Sequence, residues 1–384
     1  MPIAAYRRFC QDRHLSDQWR ALRVVGPSQK GRVACADRVV LNFSSNNYMG
    51  LASHPDLIQR SAEWGARWGV GATASRLVCG NLPPFASIEA KLCRGKGSEA
   101  ALIFNSGFQA NSTVLTALLD RNVLGAEPLL FADRYNHASL HHGCQAAGVR
   151  QFRFRHNDLN HLEDLLRRHA SKKGPRFILS ETLFSMEGDC CDVAGLLALK
   201  ERYGAFLYLD EAHATGVLGV EGFGLTAAYP GQVDLVMGTF SKGLGSFGAY
   251  VACSQALKEY LVNRCAGLIY STALPPPVLG AMDAALDLLP GLGEARATLQ
   301  SNSARVRQAW QAAGLDTALS TTQIIPLLLR DEGAALAMSR RLEEASILAV
   351  AIRPPTVPAG GSRIRFSLTT HHSPDDLRYL IETV

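Results

Sequence analysis

Long apolar runs are missing from this chain of 384 residues. A membrane-spanning helix needs about 20 such residues, so none is expected. The opening stretch, MPIAAYRRFCQDRH, also lacks the apolar core of a signal peptide. The nine cysteines are odd in number and include no CxxC pair. That argues against both a disulfide framework and a cysteine-based metal site, and reduced thiols in the cytoplasm are the expectation. GxSxG, HExxH and GxxxxGK[ST] are all absent, which leaves serine hydrolases, zinc proteases and P-loop ATPases without support. Charge is modest. Charged residues make up 19% and the formal net charge is +5. Such a balance suits an anionic ligand such as a phosphate or coenzyme A. It falls short of the clustered charge that nucleic-acid binding needs.

What is present reads as a globular chain too long for one core, so two domains are expected. Residues 1–40 form an arm, amphipathic and then basic and polar. Residues 41–285 form a large domain in which apolar runs alternate with helical patterns. The runs are Ala100–Phe104, Leu129–Ala132, Phe177–Glu181, Phe206–Asp210, Leu235–Thr239 and Ala249–Cys253, with helical spacing at Leu159–Arg168 and Val193–Tyr203. Arg150–Arg155 alternates arginine with Phe152 and Phe154, as a strand with one wet face would. Alternating strands and helices predict a mostly parallel sheet covered on both faces. Residues 286–384 form a smaller α+β domain. Its strands are expected at Gln323–Leu329 and Ser362–Leu368, with a helix over Ala334–Ala345 between them and a last helix opened by Ser373-Pro374.

Ligands of an open α/β sheet bind beyond the carboxyl ends of its strands. Several apolar runs end in polar residues there: Asp210-Glu211 and His213, Thr239 with Ser241 and Lys242, Glu181 followed by Ser185, and Asp133 with Asn136 and His137. A lysine held in a partly dry site loses proton affinity, and its free amine can attack the aldehyde of pyridoxal 5'-phosphate (PLP) to form a Schiff base. A lysine in a surface turn would look the same on its own. Gly243-Leu-Gly-Ser-Phe-Gly248 matches the dinucleotide pattern GxGxxG, but a strand rather than a helix is expected after it, so that reading is rejected. Asp210 can pair with the protonated pyridine nitrogen of PLP and keep the ring electron-poor. His213 can bond to the ring hydroxyl or to a substrate. His137 can stack on the ring. It could also be a plain structural histidine, or a metal ligand with His141, although no third ligand is evident. Asn105–Asn111 precedes a helical run, Ser112–Leu119, and a helix start after a glycine is a phosphate cradle.

Six segments taken together resemble the α-oxoamine synthases, a branch of the fold type I PLP enzymes. They are Leu41–Gly50 (LNFSSNNYMG), Asp133–Ser139 (DRYNHAS), Phe184–Asp189 (FSMEGD), Asp210–Gly216 (DEAHATG), Thr239–Gly245 (TFSKGLG) and Ile269–Thr272 (IYST). The resemblance implies a large domain with a mostly parallel seven-stranded sheet between helices, plus the smaller carboxyl-terminal domain. It implies Lys242 as the PLP lysine and proton carrier, Asp210 at the pyridinium, His137 stacked on the ring, and Ser185 and His213 at the ring hydroxyl. Gly107, Phe108 and Thr239 would hold the phosphate, with Ser271 and Thr272 reaching it from the neighbouring subunit of a homodimer. Arg353 would hold the amino-acid carboxylate, Thr356 would touch substrate and Arg20 the acyl group. Asn46 and Glu181 would contact substrate or the residues around it. The segment Ala351–Gly360 (AIRPPTVPAG) favours the branch that condenses L-alanine with a pimeloyl thioester of coenzyme A or acyl carrier protein. A family member using glycine and a short acyl-CoA, or a PLP-binding protein without turnover, are the alternatives.

Overall fold

A computed structural model describes residues 2–384, which form two compact units. The larger comprises residues 47–185 and 190–296, the smaller the described residues up to 46, with 186–189 and 297–384.

The larger unit is built on a seven-stranded sheet. In spatial order its strands are Ala100–Phe104, Ala249–Cys253, Leu235–Thr239, Ala205–Asp210, Arg176–Glu181, Leu129–Asp133 and Gln151–Phe154. Ala249–Cys253 runs antiparallel to both neighbours and the other pairings are parallel. The central strands are buried almost throughout, because helices cover both faces of a parallel sheet; this is why they read as unbroken apolar runs. Gln151–Phe154 lies at the edge and is only partly buried, with Arg153 exposed. Helices start where a side chain can accept from an otherwise unbonded amide. Asp158 accepts from His161 N ahead of Leu159–Arg168, and Asp192 from Gly195 N ahead of Val193–Tyr203. The helix expected at Ser112–Leu119 begins five residues earlier, at Gly107, because Ser106 accepts from Gln109 N and caps it there. The three prolines at 275–277 open a helix, Pro276–Leu288, which suits residues with no amide to satisfy in a first turn.

The turn Phe240–Gly248 leads into the antiparallel strand Ala249–Cys253, so the glycines at 243–248 do not open a helix. Gly245 has φ +65°, and a Cβ there would strike the backbone of Leu51 and Ala52.

The smaller unit holds an antiparallel sheet ordered Ile324–Arg330, Ser362–Ser367, Ala351–Ile352. Trp310 and Phe366 pack at 4.8 Å in its core. Asp331 caps the helix Glu332–Glu344, which starts two residues before the expected position, and Ser373 with Asp376 forms a capping box on Pro374–Thr383. The stretch read as basic and polar contains strands Arg32–Cys35 and Arg38–Asn42, and the latter runs parallel to Ile347–Leu348. Ahead of them the helix Pro2–Leu15 has no buried residue.

Candidate active site

Neighbouring parallel strands end at Asp133, Glu181, Asp210 and Thr239. The turn after Thr239 carries Lys242, half-buried, with Nζ 2.8 Å from His213 Nε2. The other ring nitrogen of His213 lies 2.7 Å from the hydroxyl of the fully buried Tyr48. A histidine held at both ring nitrogens has its ring orientation set.

Asp210 is 3% exposed. Its carboxylate accepts from Asn111 Nδ2 at 2.8 Å and from Ala212 N at 2.8 Å. Both donors are neutral, and among the described residues no Lys, Arg or His forms an ion pair with Asp210. A buried carboxylate without a cation carries a large desolvation penalty. This environment fits a ligand bearing a buried cationic N–H, as the protonated pyridine of PLP does. The next residue, Glu211, is also buried, but it pairs with Lys96 and accepts from Thr226 N at 2.9 Å and Thr226 Oγ1 at 2.7 Å.

Asn111 joins several parts of the site. Its Nδ2 also reaches Ser139 Oγ at 2.8 Å, its Oδ1 accepts from Tyr208 OH at 2.7 Å, and Ser139 Oγ lies 2.8 Å from His137 Nδ1. The chain His137–Ser139–Asn111–Asp210 is therefore continuous. The imidazole of His137 is exposed, yet the protein around it still desolvates the ring and holds its pKa below the ordinary histidine value, with Asp210 opposing the shift and Lys242 adding to it. The backbone amide of His137 donates to the buried carboxylate of Glu181.

Gly107 and Phe108 stand in the first turn of the helix Gly107–Leu118, where amides are free to meet an anion. A Cβ on Gly107 would lie 2.8 Å from Thr239 Cγ2, so glycine is what lets the helix start approach that strand end. Ser185 is buried. Ser271 Oγ accepts from Asn105 Nδ2 at 2.8 Å and Gln109 Nε2 at 3.1 Å of the same chain, and Asn105 also donates to Thr272 O at 2.8 Å.

The other four expected residues lie in the smaller unit, and three of them share a small network there. Arg20 Nη2 donates to Thr356 Oγ1 at 2.8 Å, and Arg353 donates to Asp17 O and, at 3.2 Å, to Trp19 O. Arg365 holds Asn46 Oδ1 at 3.1 Å. Among the described residues no group of three or more His, Cys, Asp or Glu side chains is arranged to hold a metal ion. None of their helices is long and apolar enough to cross a membrane.

Sequence reasoning did not find Tyr48, Asn111 or Ser139. Tyr48 and Ser139 lie inside the quoted segments LNFSSNNYMG and DRYNHAS, and that was the one available signal. Asn111 closes the stretch Asn105–Asn111 read as a phosphate cradle, but its partner Asp210 lies 99 positions away and no spacing rule reaches that far.

Comparison with known proteins agrees with this geometry. The model of the family "Aminotransferase class I and II" matches residues 38–384. A protein of Magnetococcus marinus, provisionally named 8-amino-7-oxononanoate synthase, is 64% identical over 383 residues, which is 100% of this chain and 97% of that protein. The 8-amino-7-oxononanoate synthase of Gluconacetobacter diazotrophicus is 56% identical over 335 residues, covering 87% of this chain and 84% of that one. Among solved structures, serine palmitoyltransferase from S. paucimobilis with bound PLP–myriocin superposes with a TM-score of 0.90 at 26% identity, covering 100% of this chain and 95% of that one. This chain is thus a PLP-dependent enzyme of fold type I, and it belongs to the class I and II aminotransferase family.

Proposed function

We propose that this enzyme condenses L-alanine with a pimeloyl thioester, of coenzyme A or acyl carrier protein, to give 8-amino-7-oxononanoate, CO2 and the free thiol in biotin biosynthesis. It does so in the cytoplasm, as a homodimer. The observation that carries the reading is the buried Asp210, which has no cationic side chain paired with it among the described residues and sits on the same strand-end surface as Lys242 and His213. The names of close relatives support the choice of substrates.

In this reading Asp210 would hold the pyridine N–H, His137 would stack on the ring, and Ser185 and His213 would contact the ring hydroxyl. Gly107, Phe108 and Thr239 take the phosphate, with Ser271 and Thr272 of a second copy. Bound PLP delocalises the electron pair left when the alanine α-proton is removed. Lys242 takes that proton and returns one to the same carbon after CO2 has left. The α-carbon attacks the thioester carbonyl, the C–S bond breaks, and the thiolate leaves with a proton. Arg353 binds the alanine carboxylate. Thr356, Asn46 and Arg20 contact the substrates, Arg20 on the acyl side.

The test is thiol and CO2 release by PLP-loaded protein. Release with alanine and pimeloyl-CoA or the pimeloyl carrier protein is expected. Release with glycine and acetyl-CoA or succinyl-CoA, and none with alanine and either pimeloyl donor, would assign it to another α-oxoamine condensation.

A further inference from the structure

The positive charge of this enzyme is localised. Residues 1–32 contain seven Lys and Arg and two Asp, a balance equal to the formal +5 of the whole chain, so the remaining residues are neutral as a set. The helix Pro2–Leu15 buries nothing and leaves Ile3, Tyr6 and Phe9 more than half exposed beside Arg7 and Arg8. Neither Arg7 nor Arg8 has an acidic partner among the described residues. The stretch that follows is fastened by Arg353 to Asp17 O and Trp19 O and by Arg20 to Thr356, and farther on by Arg23 to Glu343 at 2.7 Å. Arg23 and Arg32 thus spend their charge on Glu343 and Asp376, whereas Arg7, Arg8 and Arg13 of the helix have no acidic partner among the described residues, and this basic helix is tied at its base to residues given substrate contacts above.

We infer that this amino-terminal arm is a docking surface for a small acidic carrier protein that delivers the acyl thioester. The inference rests on the proposed condensation and chooses between its two acyl donors. At 1.5 Å per residue the helix is about 21 Å long. Its arginines, Arg7, Arg8 and Arg13, are spread over about 9 Å of that length, which matches the face of a protein better than a single phosphate. A membrane surface would call for an unbroken apolar stripe. At 3.6 residues per turn, Arg13 falls between Tyr6 and Phe9 around the helix, and its guanidinium sits 4.7 Å from the Phe9 ring centre. Two copies of the arm carry the same sign and would repel.

The experiment compares the PLP-loaded wild type with an Arg7→Glu/Arg8→Glu variant, supplying pimeloyl thioester on acyl carrier protein or on coenzyme A. With the carrier-protein donor, KM should rise about tenfold in the variant while kcat holds, and salt should produce the same rise in the wild type. With the coenzyme A donor, the variant's KM should change less than about twofold. Equal effects on both donors, or none on either, overturn the proposal. An unchanged thermal melt controls for folding. If the wild type turns over neither donor, the condensation itself is wrong. Docking is then read by titrating the wild type with unacylated carrier protein: salt-sensitive binding lost in the variant supports it, and no binding overturns it. Sedimentation with phosphatidylglycerol vesicles that the variant alone loses, with carrier binding intact, assigns the arm to a membrane and overturns it. So does loss of the dimer by light scattering, which would assign the arm to a second copy.

Discussion

Asp210 and Glu211 are adjacent acids, both buried, with opposite arrangements. Glu211 is fully buried, paired with Lys96 and bonded by Thr226. Asp210 is nearly as buried and, among the described residues, accepts from the neutral donors Asn111 and Ala212 and pairs with no cation. On the proposed reading the difference separates structure from function. An acid that already has its cation holds the fold together, whereas one without a cation is set up for a cationic ligand. The backbone explains how neighbours come to differ. Asp210 ends a strand, Glu211 begins the turn, and their side chains leave on different sides.

The comparison can be broken at several points. Replacing Lys242 by Ala should abolish the visible cofactor band and lower turnover on the order of 10³-fold or more, with the melting temperature of the cofactor-free protein unchanged. Turnover near the wild-type level would remove Lys242 from the chemistry. Next come the two acids. Glu211→Gln leaves Lys96 buried without its partner and should cost about 3–5 kcal/mol in denaturant unfolding. Asp210→Asn should leave cofactor-free stability unchanged or higher, because an uncompensated charge is gone, while PLP affinity falls. A stability loss at Asp210 as large as at Glu211 would end the distinction.

His372 shows a third way to bury a titratable group, which is to stay neutral. It is stacked on Phe43 at 4.0 Å, its Nδ1 accepts from Thr369 N at 3.1 Å, and Nε2 faces Asn42 O at 3.2 Å. Burial pushes its pKa from 6.5 down to about 4. Between these values the unfolded chain binds the proton and the folded one does not. Stability is therefore full above pH 6.5 and falls as the pH drops toward 4, by about 3 kcal/mol if the shift is realised in full. His372→Gln should flatten that part of the stability-versus-pH curve. The smallest effect is expected at Asn111. Asn111→Ala removes one donor from Asp210 and should weaken PLP binding by about 1–2 kcal/mol, read by fluorescence titration. An unchanged PLP affinity would show that the carboxylate does not need this support.

Much of the sheet was legible because burial on both faces demands continuous apolar sequence. Leu235–Thr239 and Ala249–Cys253 have the expected limits. The strands Arg32–Cys35 and Arg38–Asn42 were not legible, since they are short and each begins with an exposed arginine. The start of the helix at Gly107 was missed because its cap, Ser106, lies in a turn-like string of polar residues. Within the site, Lys242, Asp210 and His213 could be picked out because each follows closely on an apolar run. Asn111 could not, because it is one of several polar residues in its helix, beside Gln109, Ser112, Thr113 and Thr116, and nothing local marks which of them reaches a distant partner.

By itself the sequence determined which segments form the central sheet and which polar residues stand at its carboxyl ends. Apolar periodicity and the ends of apolar runs are local properties. Only the tertiary structure decided which of two neighbouring acids has a cation. Hydrogen bonds and ion pairs form between groups far apart in the chain. Lys96 lies 115 positions from Glu211, and Asn111 lies 99 from Asp210.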